Sequence, residues 1–197
     1  MGKSILHLLR YWLGLDAAAS QTTVAERAAM SRYASGQRCV VEIGVFEGLT
    51  SAVLVRAMAA EGVLYAIDPF FPGRLGLCWG KLIARREVRR AAAGRKFVFV
   101  EKLSFVALAE VPGAVDFLFV DGDHSLEGIT RDWADWSARI APGGIIALHD
   151  TRVPAHNPAV AELGSHLYFE SHIRRDARFE LVEQVDSLSL LRRKVGA

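Results

Sequence analysis

Two cysteines, Cys39 and Cys78, are too few for a disulfide framework, and neither sits at a metal-ligand spacing. Their scarcity points to a reducing compartment, so a cytoplasmic protein is expected. Cys39 opens an apolar run and reads as a small core residue. No stretch reaches the roughly 18–20 apolar residues that a membrane span requires. Neither charge sign dominates: 24 basic and 22 acidic side chains leave +2, which does not imply nucleic acid, and no such partner is expected. At 51% hydrophobic residues, the chain is folded rather than disordered. No internal repeat, low-complexity tract or linker divides its 197 residues, which suit one domain with a sizeable core.

The N-terminus, "MGKSILHLLRYWLGLDAAAS", imitates a signal peptide, but His7 and Arg10 interrupt its apolar run. Ile5, Leu8, Leu9, Trp12 and Leu13 recur at helical spacing. Such a helix packs on its own domain or on a dimer mate; shallow membrane-surface contact through residues 4–15 is the alternative. Residues 1–38 are expected to form a helical cap on a domain spanning 39–197.

From Cys39 the pattern alternates. Short apolar runs at 39–45, 63–68, 96–101, 115–121 and 144–150 read as strands buried on both faces. Helical stretches fall between them, at about 50–61, 81–93, 104–110 and 125–140. In the last, Leu126, Ile129, Trp133, Trp136 and Ile140 share one face. Gly62, Gly94 and Gly143 follow helix ends, where a left-handed residue is useful. A helix at about 158–174 precedes strands at 179–185 and 187–193, joined by Asp186 alone, which demands an antiparallel hairpin. The expected fold is α/β, with five parallel strands, a closing antiparallel pair and helices on both faces.

The stretch "VEIGVFEGLTS" (41–51) is a strand, a glycine turn and a helix start. Gly44 and Gly48 do not make the G-x-G-x-x-G spacing of a dinucleotide site. Glu42, near the carboxyl end of the first strand, repels a pyrophosphate and favours a ligand carrying an ammonium and a sulfonium, as S-adenosylmethionine does. Asp68 ends the second strand, twenty residues after Gly48, where a carboxylate accepts both ribose hydroxyls; alternatively it caps a strand before Pro69. Leu103 and Ser104 fall where the adenine would lie.

Together, Glu42-x-Gly44-x-x-x-Gly48, Asp68, "FLFVDGDHS" (117–125) and "APGGIIALHD" (141–150) resemble class I S-adenosylmethionine-dependent methyltransferases. Within that class they are similar to the subgroup of metal-dependent macrolide-sugar and antibiotic O-methyltransferases. The resemblance covers about residues 36–195 and implies a Rossmann-like sheet of strand order 3-2-1-4-5-7-6. It also implies O-methylation of a small-molecule acceptor, with a divalent metal such as Mg²⁺ or Mn²⁺ held by Asp121, His149 and Asp150. Asp121 further belongs to the cofactor site.

In an open α/β sheet, ligands bind beyond the carboxyl ends of the strands, so Asp121, Asp123, His124, His149 and Asp150 are expected to crowd one cleft. By resemblance the general base is His124; Asp123 is the other candidate. His149 departs from the pattern, since Mg²⁺ prefers oxygen ligands. Either a softer metal binds, or His149 is a second base and no metal is used. A non-catalytic cofactor-binding subunit is the other class of function, and a different transferase or oxidoreductase a third. Between Arg74 and Lys96 lie eight basic residues and one acid, Glu87: a solvated face, or a surface for an anionic acceptor.

Overall fold

The computed structural model describes residues 5–73 and 76–196. Seven strands form one sheet: β1 (Cys39–Ile43), β2 (Val63–Ile67), β3 (Lys96–Val100), β4 (Val115–Val120), β5 (Ile140–Leu148), β6 (Phe179–Val185) and β7 (Leu188–Arg193). Their order is 3-2-1-4-5-7-6, as the family resemblance implies, with β1 to β5 parallel and β7 antiparallel to both β5 and β6, as the strand pattern predicts.

Among the described residues seven α-helices accompany them: α1 (Ile5–Trp12), α2 (Val24–Ala34), α3 (Leu49–Ala57), α4 (Trp79–Ala92), α5 (Ser104–Ala107), α6 (Leu126–Trp136) and α7 (Gly164–Ser171). Alternation along each strand divides the core in two. Val40, Leu64, Phe117 and Ala147 pack on α2, α3 and α4. Val41, Ile67, Leu118 and Ile146 face the other way, toward α6 and α7. On that side Trp136, Phe169 and Phe117's neighbour Leu118 are nearly or fully buried. Helix α1 lies outside both layers, with Leu8 and Tyr11 packed on Ile83 and Trp79 of α4.

Four local expectations are corrected. Only Ile129, Trp133 and Trp136 of the α6 face are buried; Leu126 is exposed and Ile140 already opens β5. β5 starts there because Gly143, at φ 81°, lies in a bulge that shifts the β4–β5 register and lets the strand continue through Pro142. Gly62 is not left-handed; its Cβ would stand 2.8 Å from the Arg38 carbonyl, so close approach requires it. The late helix breaks into α7 between two 3-10 turns, because Gly164 sits against the start of α6, where a Cβ would be 2.0 Å from the Leu126 nitrogen. The final hairpin turns on two residues, Asp186 and Ser187, with Asp186 left-handed at φ 48°.

The two cysteines are free thiols. No helix among the described residues is long and apolar enough to cross a membrane.

Candidate active site

At the carboxyl edge of β1 the chain must turn sharply into α3. Gly44 (φ 89°), Phe46 (φ 57°) and Gly48 (φ 78°) are all left-handed. Gly44 has a second constraint: a Cβ there would stand 2.1 Å from the Asp121 carbonyl oxygen. Gly48 packs against the backbone of Ala84 and starts α3. Asp68 braces this turn. Its Oδ2 accepts the N–H groups of Val45 (2.9 Å) and Phe46 (3.2 Å), and its Oδ1 accepts that of Phe70 (2.7 Å). A carboxylate offers about four acceptor positions, so room remains for one ribose hydroxyl, not the two expected.

The turn borders a cavity of about 700 Å³. Gly44, Asp68, Leu103 and Ser104 line it, as do Asp121, Asp123 and His124. Seven of the residues singled out in the sequence therefore line one cavity. Phe71, 71% exposed, stands at its rim. Trp79, eight residues further on, packs on the N-terminal cap instead.

Four expected site residues do not line the cavity; one of them is Gly48, which packs on Ala84 at the start of α3. Glu42 is fully buried on the opposite face of β1, where its Oε2 accepts the Ser51 hydroxyl. Burial pushes its carboxyl well above the usual range, which disfavours the charge that an ammonium group would pair with. Residue alternation explains the error: Ile43, one step later, faces the cavity and Glu42 faces α3. His149 is 5% exposed, stands behind Asp121 and does not line the cavity. Asp150, left-handed at φ 52°, sits 3.6 Å from His149 Nδ1 and 3.9 Å from His124 Nδ1.

Asp123 accepts the Ser125 N–H at 2.9 Å, while Ser125 caps α6 by accepting from Gly128. Its carboxylate is thus partly engaged in a turn. His124 is placed differently: Nε2 is 3.4 Å from Asp121 Oδ1, and that contact raises its pKa against the opposing effect of burial.

Behind this pair, His149 Nδ1 lies 2.8 Å from Asp121 Oδ1 and Nε2 lies 3.4 Å from Glu26 Oε2. Burial opposes a charge on His149, but Asp121, Glu26 and Asp150 outweigh it and push its pKa up to about 10. Burial likewise opposes ionisation of Asp121 and Glu26. The two imidazoles nevertheless hold Asp121 below its usual range, and His149 with the Thr23 N–H holds Glu26 at about 2.

These contacts are close but poorly aligned: Asp121 Oδ1 and both His149 nitrogens are buried without a well-directed hydrogen bond. One ligand atom each from Asp121, His124 and His149 lies within 4.8 Å of the others. One oxygen and two nitrogens so grouped fit a divalent cation. The set includes His124 in place of the expected Asp150.

Glu26 is the residue that sequence reasoning missed. Its local signal was present, because Thr23-x-x-Glu26 is a capping box and both of its hydrogen bonds form. Nothing local indicates that the same carboxylate also accepts the Ser187 N–H and hydroxyl and touches His149. Asp132 is a second omission: nearly buried in the cavity wall, it accepts the Ser104 hydroxyl.

The basic run resolves into separate roles. Lys81 and Arg85 pair with Glu101, and Arg86 lies over the rings of Tyr11 and Trp12. None of the α4 arginines lines the cavity, and Arg74 lies outside the described residues.

The sheet order, the glycine turn and an acid at the end of β2 define a Rossmann-like fold of the methyltransferase type. The family model described as "Methyltransferase domain" matches residues 41–151, more than half of the chain, and the chain belongs to that family. Protein y4gI of Sinorhizobium fredii is 26% identical over 129 residues, which is 63% of this chain but only 14% of y4gI. The O-methyltransferase of Bacillus cereus, solved in complex with SAH, has a TM-score of 0.65 at 19% identity, covering 94% of this chain and 87% of its own. TomG of Streptomyces achromogenes, an O-methyltransferase involved in tomaymycin synthesis and solved with SAM, has a TM-score of 0.62 at 17% identity, covering 96% and 87%.

Proposed function

We propose that the cavity binds S-adenosylmethionine and that the protein transfers its methyl group to a hydroxyl of a small-molecule acceptor. The observation that carries this reading is one cavity lined by both Asp68 and the Asp121–His124 pair. Asp68 keeps one acceptor position for a ribose hydroxyl, and Leu103 and Ser104 border the adenine end. The solved O-methyltransferases of similar fold, titled as complexes with SAH and SAM, support the same ligand.

In this reading His124 takes the acceptor's proton as its oxygen attacks the sulfonium methyl. The C–S bond breaks as the O–C bond forms, S-adenosylhomocysteine leaves as a neutral thioether, and the positive charge passes to the imidazolium. Asp121 orients the ring and stabilises that charge. The wall holds five carboxylates, Asp68, Asp121, Asp123, Glu127 and Asp132, against Lys102 and Arg131. An uncharged hydroxyl acceptor, such as a sugar, glycan or natural product, suits this wall better than an anion.

A second reading rests on the three grouped ligand atoms. Asp121, His124 and His149 would hold a divalent ion, and Mn²⁺ or a softer ion matches this donor set better than Mg²⁺. When bound, such an ion lowers the pKa of the acceptor hydroxyl.

The test is calorimetric titration of S-adenosylhomocysteine into the protein, with NAD as control. Micromolar binding of the first alone is expected; no binding sinks the reading. His124→Ala should keep that affinity while lowering methyl transfer by about 10²–10⁴. Unchanged turnover in this variant would remove His124 as the base. Mn²⁺ binding, followed by electron paramagnetic resonance and lost in His149→Ala, distinguishes the second reading.

A further inference from the structure

The N-terminal helix carries more apolar surface than its own domain covers. Leu8 and Tyr11 are buried against α4, but Ile5, Leu6, Leu9 and Trp12 are 52–63% exposed, and Leu13 is 74% exposed. At about 100° per residue these five exposed side chains fall in one arc of roughly 120°. Leu13 continues the helical hydrogen bonding, donating to the Leu9 carbonyl at 3.0 Å. Two helical turns are not stable alone in water, so the arc is held in place by packing on α4.

The charges around this arc are unequal. Asp16 is occupied by Arg10 and His7, and Glu87 accepts the Tyr11 hydroxyl at 2.5 Å. On the basic side, Arg86 lies 4.3 Å from the centroid of Trp12, and Arg86 and Arg90 both act electrostatically on Tyr11. Neither is in an ion pair among the described residues. The rim is therefore positive. A second copy laid symmetrically on this face would bring like charges together, which disfavours a dimer here. An anionic lipid surface meets both features: leucines and a tryptophan settle at the boundary of headgroups and acyl chains, and arginines pair with phosphates.

We propose that the α1–α4 face docks peripherally on an anionic lipid surface, with Leu6, Leu9, Trp12 and Leu13 entering the interface and Arg86 and Arg90 meeting the headgroups. The same cap reaches the cavity: Gln21 lines it, and His7 and the Ala19 N–H contact Glu47 beside the glycine turn. Docking thus holds the cavity near a hydroxyl acceptor carried on a lipid. That consequence rests on the methyl-transfer reading; the lipid binding does not, so vesicle binding and S-adenosylhomocysteine binding fail separately.

The experiment is co-sedimentation of the full chain with vesicles of phosphatidylcholine alone and of phosphatidylcholine mixed with phosphatidylglycerol, at low and high salt. Binding to the mixed vesicles about tenfold or more above the neutral ones, weakened by salt, is expected. Leu9→Asp/Leu13→Asp should lose that binding, and Arg86→Gln/Arg90→Gln should weaken it about tenfold. Both variants should retain the parent's circular dichroism and S-adenosylhomocysteine affinity. Absence of binding to mixed vesicles overturns the proposal, as does equal binding by the leucine variant. So does light scattering that finds a dimer converted to monomer by that variant, which would assign the face to a second copy.

Discussion

At the scale of single residues, the site is governed by what burial does to carboxyl groups. Asp132 is nearly buried, and burial together with Asp135 and Asp123 pushes its pKa up to about 6 despite the Ser104 hydrogen bond. Its folded value is raised above the unfolded one, so its contribution is fully present below about pH 4 and is lost as pH rises through 6. Asp132→Asn removes that dependence. Urea melts should show the variant gaining on the parent by on the order of 2–3 kcal/mol between pH 4 and pH 7. A difference that does not change with pH would contradict the raised proton affinity. Glu26 is the converse case, a buried carboxylate compensated on every side by Thr23, Ser187 and His149. Glu26→Gln keeps the shape and breaks the buried ion pair. It should lower stability by roughly 3 kcal/mol and shift the His149 ring resonances in NMR spectra; unchanged resonances would mean Glu26 does not position that ring.

At the scale of elements, the strand ends decide function, and glycine decides the strand ends. β1 delivers Gly44 so close to the tip of β4 that a Cβ on it would stand 2.1 Å from the Asp121 carbonyl oxygen. The two loops of the site are thus packed backbone to backbone. Gly44→Ala combines a strained left-handed φ with this clash. It should cost roughly 3 kcal/mol or more and weaken S-adenosylhomocysteine binding, measurable by thermal melts and calorimetry. An unperturbed melt would show that the loops do not touch as described. The hairpin of β6 and β7 belongs to the same logic: its two-residue turn presents Ser187 to Glu26, far from either in sequence.

At the scale of the whole molecule, the N-terminal cap is part of the site rather than an appendage. α2 packs beside α3 on one face of the sheet and sends Glu26 under β5 to His149. The stretch after α1 anchors to Glu47 next to the glycine turn and contributes Gln21 to the cavity. The cap thus supplies both a lining residue of the cavity, Gln21, and the buried counter-charge of His149, Glu26.

The sequence alone determined the sheet. Five β-branched runs separated by helical stretches, followed by two strands too tightly joined to be parallel, specify five parallel strands and an antiparallel pair, while the order of the strands came from the family resemblance, and the observed sheet agrees with both. It also located seven of the residues that line the cavity, because Gly44, Asp68, Leu103, Ser104, Asp121, Asp123 and His124 all sit at or just past strand ends, where an open α/β sheet binds ligands. Tertiary structure alone decided which way the acids point. Glu42 and Ile43 are neighbours on opposite faces, so a one-residue phase that composition does not encode put the first under α3 and the second in the cavity. It alone brought Glu26 to His149 and Asp132 to Ser104. Contacts across 123 and 28 positions depend on packing and not on local propensity.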